Sequence, residues 1–371
     1  MKFSIKRDFM LKSLAYIQGV VEKKNTLPIL SNVLIMAKDK KLNLVATDLD
    51  LVLYDEIEDL SIENDGSTTT SAAVLYDILR KISANTTVRF DLTNQNRLNI
   101  NSENSDFNLL CLPTDNFPTF SDKFDTDEIK LNKEKFLSLL NKTKISMSSD
   151  ETRHYLNGVF LHTVESDKKT YLAGVSTDSH RLSSSSLEIE KNEEFNAFIL
   201  PRKTIYQLIT LISEINSDIF IQTSETKILF KIGKIKLVSK VIDGKFPDYK
   251  KVIPNDNKQI LVVPTKEFIS SIERVIAVSI DKKEGVKLEI KNDHLRLSVI
   301  SANSGEGNEK INANYNGKEM AISFNAKYLL DIASEIENKD LQMNLRDSNS
   351  PVLIEDRSDN DSFYVIMPMK I

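Results

Sequence analysis

The strongest constraint on this chain is a secondary-structure pattern that runs through its length three times. In the first round, residues 2–5 alternate as a short strand. Phe9, Leu11, Leu14, Ala15, Ile17 and Val21 then follow at helical spacing behind Asp8, a suitable N-cap. Strands are predicted at 33–36, 42–46 and 51–54, and a second amphipathic helix at 72–82 carries Leu75, Ile78, Leu79 and Ile82. Strands at 87–92, 97–101 and 107–112 end at Pro113. The second round opens at 129–131, with Asn132 capping a helix of Phe136, Leu139, Leu140 and Ile145. Its second helix bears Ile205, Leu208, Ile209 and Ile212. The third opens at 260–263, with Phe268, Ile272, Val275 and Ile276 on its first helix. Asn325 caps the last helix, which carries Tyr328, Leu329, Ile332 and Ile336.

Pro113, Pro247 and Pro368 mark the ends of the rounds, 134 and 121 residues apart. Each round has its own amphipathic pattern and enough length for a separate core, so the expected fold is α+β, with three similar domains in a row. Polar linkers at 121–128 and 255–258 give the expected bounds 1–125, 126–256 and 257–371.

Several function classes are disfavoured by composition. The single cysteine, Cys111, excludes an intrachain disulfide framework, and its apolar neighbours make it a buried, inert thiol. Four histidines without an HExxH pair leave no His-based metal site, and no GxxxxGK[ST] or GxGxxG loop is present. No cofactor is expected. No run of about 18 apolar residues occurs, and the chain starts as a strand, so it is expected in the cytosol and away from membranes.

The formal net charge is −5, yet the charge is unevenly spread. The six predicted helical stretches, 8–24, 71–83, 132–145, 201–216, 264–283 and 325–336, carry 16 basic and 10 acidic residues, a net +6 against −11 elsewhere. If the helices share a surface, that surface faces a polyanion although the whole chain is acidic. Lys and Arg are also good helix formers, so composition alone leaves both readings open. The helices' polar sides are lean in aromatics, which favours backbone tracking over base stacking.

Chemistry is densest at residues 175–182, where Asp178, His180 and Arg181 sit among hydroxyl side chains. One reading is a hydrolase, with His180 as base, Asp178 as its orienter and a nearby serine as nucleophile; no GxSxG elbow supports it. The other is a turn at a strand end whose polar groups bond locally. A repeat scaffold that binds only proteins is a third reading, disfavoured by the basic helices.

Met1-Lys2-Phe3, residues 26–32, Ala46-Thr47-Asp48-Leu49 and Tyr155-Leu156-Asn157-Gly158 carry a resemblance, as do 177–182, 243–249 and 364–371. Across essentially its whole length the chain resembles the bacterial DNA polymerase III β subunit family, the sliding clamps. The resemblance implies three clamp-type domains, each with two helices packed on antiparallel sheets, and a head-to-tail homodimer closed into a ring. Helices would line the hole and acidic sheets the outer wall. The implied role is a non-catalytic processivity subunit on double-stranded DNA, without sequence preference. Implied partners are the polymerase III alpha subunit, the clamp loader delta subunit, and other polymerases and repair proteins bearing clamp-binding peptides.

Carried over by position, a hydrophobic peptide groove would include Arg153, Leu156, Thr177, Ser179, His180, Arg181, Leu182, Pro247, Val252, Tyr328, Val365, Ile366, Met367, Pro368 and Met369. DNA-facing positions would be Lys24, Arg80, Arg202 and Lys203. The subunit joint would use Phe107 and Leu109 against Ala277 and Val278. Departures from the family pattern are Ser179 in place of Gly, Lys251 in place of Arg, and Asn349 and Pro351 at a rim that is often Val and Ser. Asp150 stands for Gln, and Ala73 for Arg. At Ser179 the backbone is expected either to avoid the left-handed region or to be strained there.

Overall fold

The computed structural model describes every residue except 23–26, 94–95, 121–122, 125, 191–194, 280–284 and 371. Six α-helices occur among the described residues. They are α1 (Arg7–Ile17), α2 (Ala72–Lys81), α3 (Lys133–Lys144), α4 (Arg202–Glu214), α5 (Thr265–Val275) and α6 (Ala326–Ala333). They retain the net charge of +6 expected for the longer predicted stretches. No helix among the described residues is long and apolar enough to cross a membrane.

Local chemistry explains the starts of two helices. Ser71 accepts from the Val74 N–H to start α2, and Asn325 accepts from the Tyr328 N–H to start α6. Asp8 is not the cap of α1, which begins one residue earlier. Its carboxylate accepts from the Asn85 N–H at 2.7 Å and pairs with Arg7 at 2.7 Å, and these contacts hold it below the usual carboxylate range. The helix also stops at Ile17, short of Val21. Gln207 packs onto Gly19 so closely that a Cβ there would lie 2.0 Å from Oε1, while its amide donates to the Tyr16 carbonyl at 2.8 Å.

The chain forms two compact units. The first comprises Met1–Glu134, Asn192–Asn196 and Lys203–Val241. Its antiparallel sheet has thirteen strands. From one edge the order is Ile129–Leu131, Ile219–Thr223, Lys227–Ile232, Ile235–Lys240, Leu51–Ile57, Lys41–Thr47, Asn32–Lys38 and Gly66–Ser71. It continues through Ser105–Leu112, Arg97–Ser102, Thr87–Thr93, Lys2–Lys6 and Leu60–Asn64. Cys111 is buried there, and burial raises its thiol pKa, as an inert core cysteine requires.

The second unit comprises Lys135–Lys191, Ala197–Arg202 and Ile242–Ile371. It holds a nine-stranded sheet in the order Phe198–Pro201, Gly158–Ser166, Lys169–Thr177, Arg181–Ile189, Asp359–Ile366, Val352–Asp356, Asp340–Leu345, Gln259–Pro264 and Asn314–Tyr315. A four-stranded sheet, Gly305–Asn312, His294–Ser301, Gly285–Ile290 and Met320–Asn325, completes it. Phe268, Ile272 and Val275 fall on one face of α5 and bury against Leu288, Leu297 and Phe324. Each such side chain contributes roughly 1.5–3 kcal/mol of hydrophobic stabilisation.

The proline markers need one correction. Pro113 directly follows a strand, whereas Pro247 follows Phe246, which closes an apolar cluster. The structural counterpart of Phe246 is Phe117, which closes a similar cluster, so Pro118 rather than Pro113 matches Pro247. The repeat itself is written in finer detail than prolines. At Thr47 the hydroxyl accepts from the Leu49 N–H at 2.9 Å, and Asp48 Oδ1 accepts from Asp50 and Leu51 at 3.0 and 2.7 Å. At Thr177 the hydroxyl accepts from Ser179 at 3.1 Å, and Asp178 Oδ1 accepts from His180 and Arg181 at 2.9 and 3.0 Å. Leu49 and Ser179 share a positive φ, 81° and 77°. The left-handed alternative at Ser179 is therefore the one realised, at a strain of order 1 kcal/mol.

Within the second unit, Lys142 of α3 reaches Asp359 at 2.6 Å, with side chains 7% and 23% exposed. Burial opposes ionisation of Asp359, but Lys142 and Ser362 prevail and its pKa lies below the ordinary value. Removing one partner of a buried pair leaves the other uncompensated, so Lys142→Ala should cost about 3 kcal/mol in urea unfolding at neutral pH. Because the folded pKa is lowered, the pair's contribution is complete above about pH 4 and fades as pH falls through the lowered value. The deficit of the variant should accordingly shrink on acidification. A constant deficit from pH 7 to pH 3 would contradict this role.

Candidate functional site

The predicted groove residues converge in the second unit. Leu182 pairs with Val365 and Arg181 with Ile366, where strand Arg181–Ile189 meets strand Asp359–Ile366. This ladder sets the turn 177–182 beside the end of the chain. Beneath it, Leu156, Val175, Leu182, Ile199, Phe246 and Val365 form a buried apolar floor, with Tyr155, Phe160 and Tyr249 packed at its margin. Phe160 stacks on Phe246 at 4.9 Å, and His162 Nε2 lies 3.1 Å from the Tyr249 hydroxyl. Burial lowers the pKa of that imidazole.

Above the floor, Thr177, Arg153, Tyr328 and Pro368 are half-buried, while Ser179, His180 and Pro247 are exposed. Val252, Met367 and Met369 are exposed apolar side chains, at 50%, 42% and 38%. The end of the chain is pinned by its backbone: Met367 N–H donates to the His180 carbonyl and Met369 N–H to the Ser323 carbonyl, both at 2.8 Å. The methionine side chains are thus presented on a fixed main chain, beside a floor that is already packed. Ile366 is an exception. It is fully buried in the core of the third repeat and serves the groove only by holding the strand.

Arg181 organises the polar side. Its Nε donates to Asp178 Oδ2 at 3.1 Å, its Nη1 to Asp331 Oδ2 at 2.7 Å, and its guanidinium lies 4.2 Å from the Tyr328 ring centre. The His180 ring also stacks against Tyr328, with ring centres 6.4 Å apart. Across the mouth, Arg153 bonds Asp150 at 2.9 Å and the Ser179 hydroxyl at 2.8 Å. Sequence reasoning missed Asp331. The available signal was its position three residues after Tyr328, on the same helical face. Phe246, Tyr155 and Tyr249 were also missed as floor and margin, because isolated aromatic residues in a loop or a short 3-10 turn do not declare what they cover.

The hydrolase arrangement does not form. Asp178 spends its carboxylate on the backbone N–H groups of His180 and Arg181 and on the Arg181 side chain, so it does not orient the His180 ring. At the altered rim, Lys251 pairs with Asp248 at 3.1 Å. Asn349 N–H bonds Asp347 at 2.9 Å, and the Pro351 carbonyl accepts from Asn257 at 2.8 Å.

The remaining predicted residues lie elsewhere. Lys24 is outside the described residues. Arg80 is exposed, pairing with Asp77 at 3.0 Å and lying over Tyr76. Arg202 donates to the Met147 carbonyl at 2.9 Å and to Ser148, and Lys203 reaches the Val20 carbonyl at 2.7 Å and Asp48 at 2.5 Å. Those two cations are engaged within the fold, not free. Phe107 and Leu109 share one face of Ser105–Leu112, and Ala277 and Val278 lie in the 3-10 turn Ile276–Val278 that directly continues α5.

Comparison with known proteins agrees along the whole chain. Three family descriptions match in order, DNA polymerase III beta subunit N-terminal domain over residues 1–121, central domain over 130–248 and C-terminal domain over 250–370. The beta sliding clamp of Caulobacter vibrioides is 36% identical over 373 residues, covering 100% of both chains. That of Escherichia coli K12 is 30% identical over 371 residues, again covering 100% of both. The crystal structure of the Caulobacter crescentus beta sliding clamp superposes with a TM-score of 0.97 at 37% identity, over 100% of this chain and 99% of that one. The DNA polymerase III beta subunit of Pseudomonas aeruginosa gives 0.93 at 31% identity, over 100% of each. The chain belongs to the DNA polymerase III beta subunit family, the DNA sliding clamps, which are non-catalytic processivity subunits.

Proposed function

We propose that this chain is a cytoplasmic clamp that closes as a head-to-tail homodimer around double-stranded DNA. Its groove tethers the polymerase III alpha subunit, the clamp loader delta subunit, and other polymerases and repair proteins through short linear peptides. The repeats that build it are bounded at 1–125, 126–256 and 257–371. The observation that carries the reading is the fixed tail: exposed Met367 and Met369 beside the buried floor of Leu182 and Val365, bordered by His180 and Arg181. An unbranched thioether adapts to different apolar partners, which suits a site serving several peptides.

Two strand edges support the ring. Ser105–Leu112 pairs with Arg97–Ser102 along its length, but on its other side only Cys111 and Leu112 reach Thr70 and Thr69. Gly305–Asn312 pairs only with His294–Ser301 among the described residues, and both edge strands show the same alternation of burial. Unpaired backbone of this kind favours addition of a strand from another chain. Beside the first edge lies a cavity of about 480 Å³ in which Val74, Ile78, Ile82 and Phe107 form an apolar part among polar residues such as Asp77, Lys81 and Glu103; that apolar part suits Ala277 and Val278 of a second copy. For DNA, basic side chains supply phosphate contacts without base readout: Arg80 on α2, Arg202 and Lys203 on α4, and Lys24, which lies outside the described residues. The engagement of Arg202 and Lys203 within the fold makes that grip light, as sliding requires.

Met369→Ala removes apolar surface without touching the strand ladder. A labelled peptide from a polymerase C-terminus should bind it at least tenfold more weakly, because one well-buried side chain is worth roughly 1.5–3 kcal/mol. The melting temperature should hardly move, and equal affinity would remove this tail from the groove. At the joint, Leu109→Asp buries an unpaired carboxylate if the subunits meet there. Sedimentation at micromolar concentration should then show monomers, and an intact dimer would refute the assignment of Leu109.

A further inference from the structure

We infer that the first unit carries a second peptide site, the internal-repeat counterpart of the groove, for short segments combining apolar and acidic side chains. The inference rests on the groove reading above and extends it to a place that reading leaves unused.

The correspondence is residue by residue. Val52 pairs with Val238, and Val238 with Leu229; in the groove Leu182 pairs with Val365, and Val365 with Leu353. Lys240 N–H donates to the Asp50 carbonyl at 2.8 Å, as Met367 N–H does to the His180 carbonyl at 2.8 Å. Val45, Val52, Phe117, Leu229 and Val238 form the resulting apolar floor, with Phe120 and Phe124 packed against it. The turns that border the two floors share their hydrogen bonds and their positive-φ residue.

The rims differ, and the differences define another ligand. Asn32, paired with Ser71, matches Gly158, paired with Pro201, because each partner directly precedes a helix. Counting back from these, Leu27 stands where Arg153 does, and Leu49 where Ser179 does. The Arg153–Ser179 hydrogen bond is thus replaced by two exposed leucines, 51% and 37% accessible. Leu51 replaces Arg181, and an Asp50–Lys240 ion pair at 3.0 Å replaces His180 and Met367. A peptide that relies on the groove's arginine and histidine margin finds neither here.

Along the same sheet face the floor continues into a cavity of about 540 Å³ lined by Tyr54, Phe124, Leu229, Val238, Lys231 and Lys236. Lys231 and Lys236 stand directly opposite each other in the ladder, and like charges so placed repel. Lys231 is paired with Glu128, but Lys236 makes no ion pair among the described residues. Lys234, the cavity's third lysine, is paired with Glu58; of its carboxylates, Glu56 is held by Lys41 at 2.8 Å and Asp55 is buried, which leaves Lys236 as the exposed charge of the lining without an ion pair among the described residues. The unbalanced charge is positive, beside exposed apolar side chains, which fits a carboxylate next to leucine or phenylalanine.

The test uses the full-length protein and a fluorescein-labelled six-residue peptide of Leu, Phe and Glu, followed by anisotropy and calorimetry. Wild type should show a binding step that survives Met369→Ala. It should weaken about tenfold in Lys236→Glu and in Leu49→Asp, since a negative charge at the rim repels the acidic ligand. Both positions are exposed, and unchanged melting temperatures would confirm intact folding. Binding abolished by Met369→Ala yet indifferent to Lys236→Glu would overturn the second site and leave the groove standing. Binding indifferent to Met369→Ala but lost in Lys236→Glu supports the second site independently of the groove. No binding, or an effect of Lys236→Glu on self-association alone, would overturn it.

Discussion

The carboxylate of Asp178 holds together what the groove needs. One oxygen accepts two backbone N–H groups and fixes the turn; the other takes Arg181, which in turn grips Asp331 and lies over Tyr328. A turn set in this way delivers strand Arg181–Ile189 to its ladder with Asp359–Ile366, and the ladder positions Met367 and Met369. Charged hydrogen bonds of this kind contribute roughly 1.5–3 kcal/mol each. The strain at Ser179 is small beside that, which is why a serine persists at φ 77°.

Much of the architecture was legible because periodicity is a local property. The apolar spacing of Phe268, Ile272 and Val275 marks a buried helical face whatever it packs against. Ends were harder. Asp8 has the right chemistry for a cap, but Asn85, distant in sequence, captures its carboxylate. Just past the end of α1, Gln207 presses on Gly19 and leaves no room for a side chain there, a contact no local pattern announces.

Site residues divide the same way. The turn 177–182 and the tail drew attention by composition and by resemblance, and the structure brings them together. That Ile366 faces the core while Val365 joins the groove floor follows from strand alternation once the register is known. Asp331 and Phe246 escaped because their importance lies in tertiary partners. Arg202 and Lys203 were placed as DNA-facing by resemblance, and the structure adds that backbone carbonyls and Asp48 already bind them. Charge counts along a sequence do not reveal which charges are spent internally.

A clamp must hold DNA without gripping it, so linkage by topology has to replace affinity. The direct measurement is retention on DNA of different topology after loading, with a salt wash to screen phosphate contacts. A closed ring of this chain stays on nicked circular duplex through the wash and is lost when that circle is linearised. Equal retention on circular and linear DNA, or equal loss from both, would contradict encirclement.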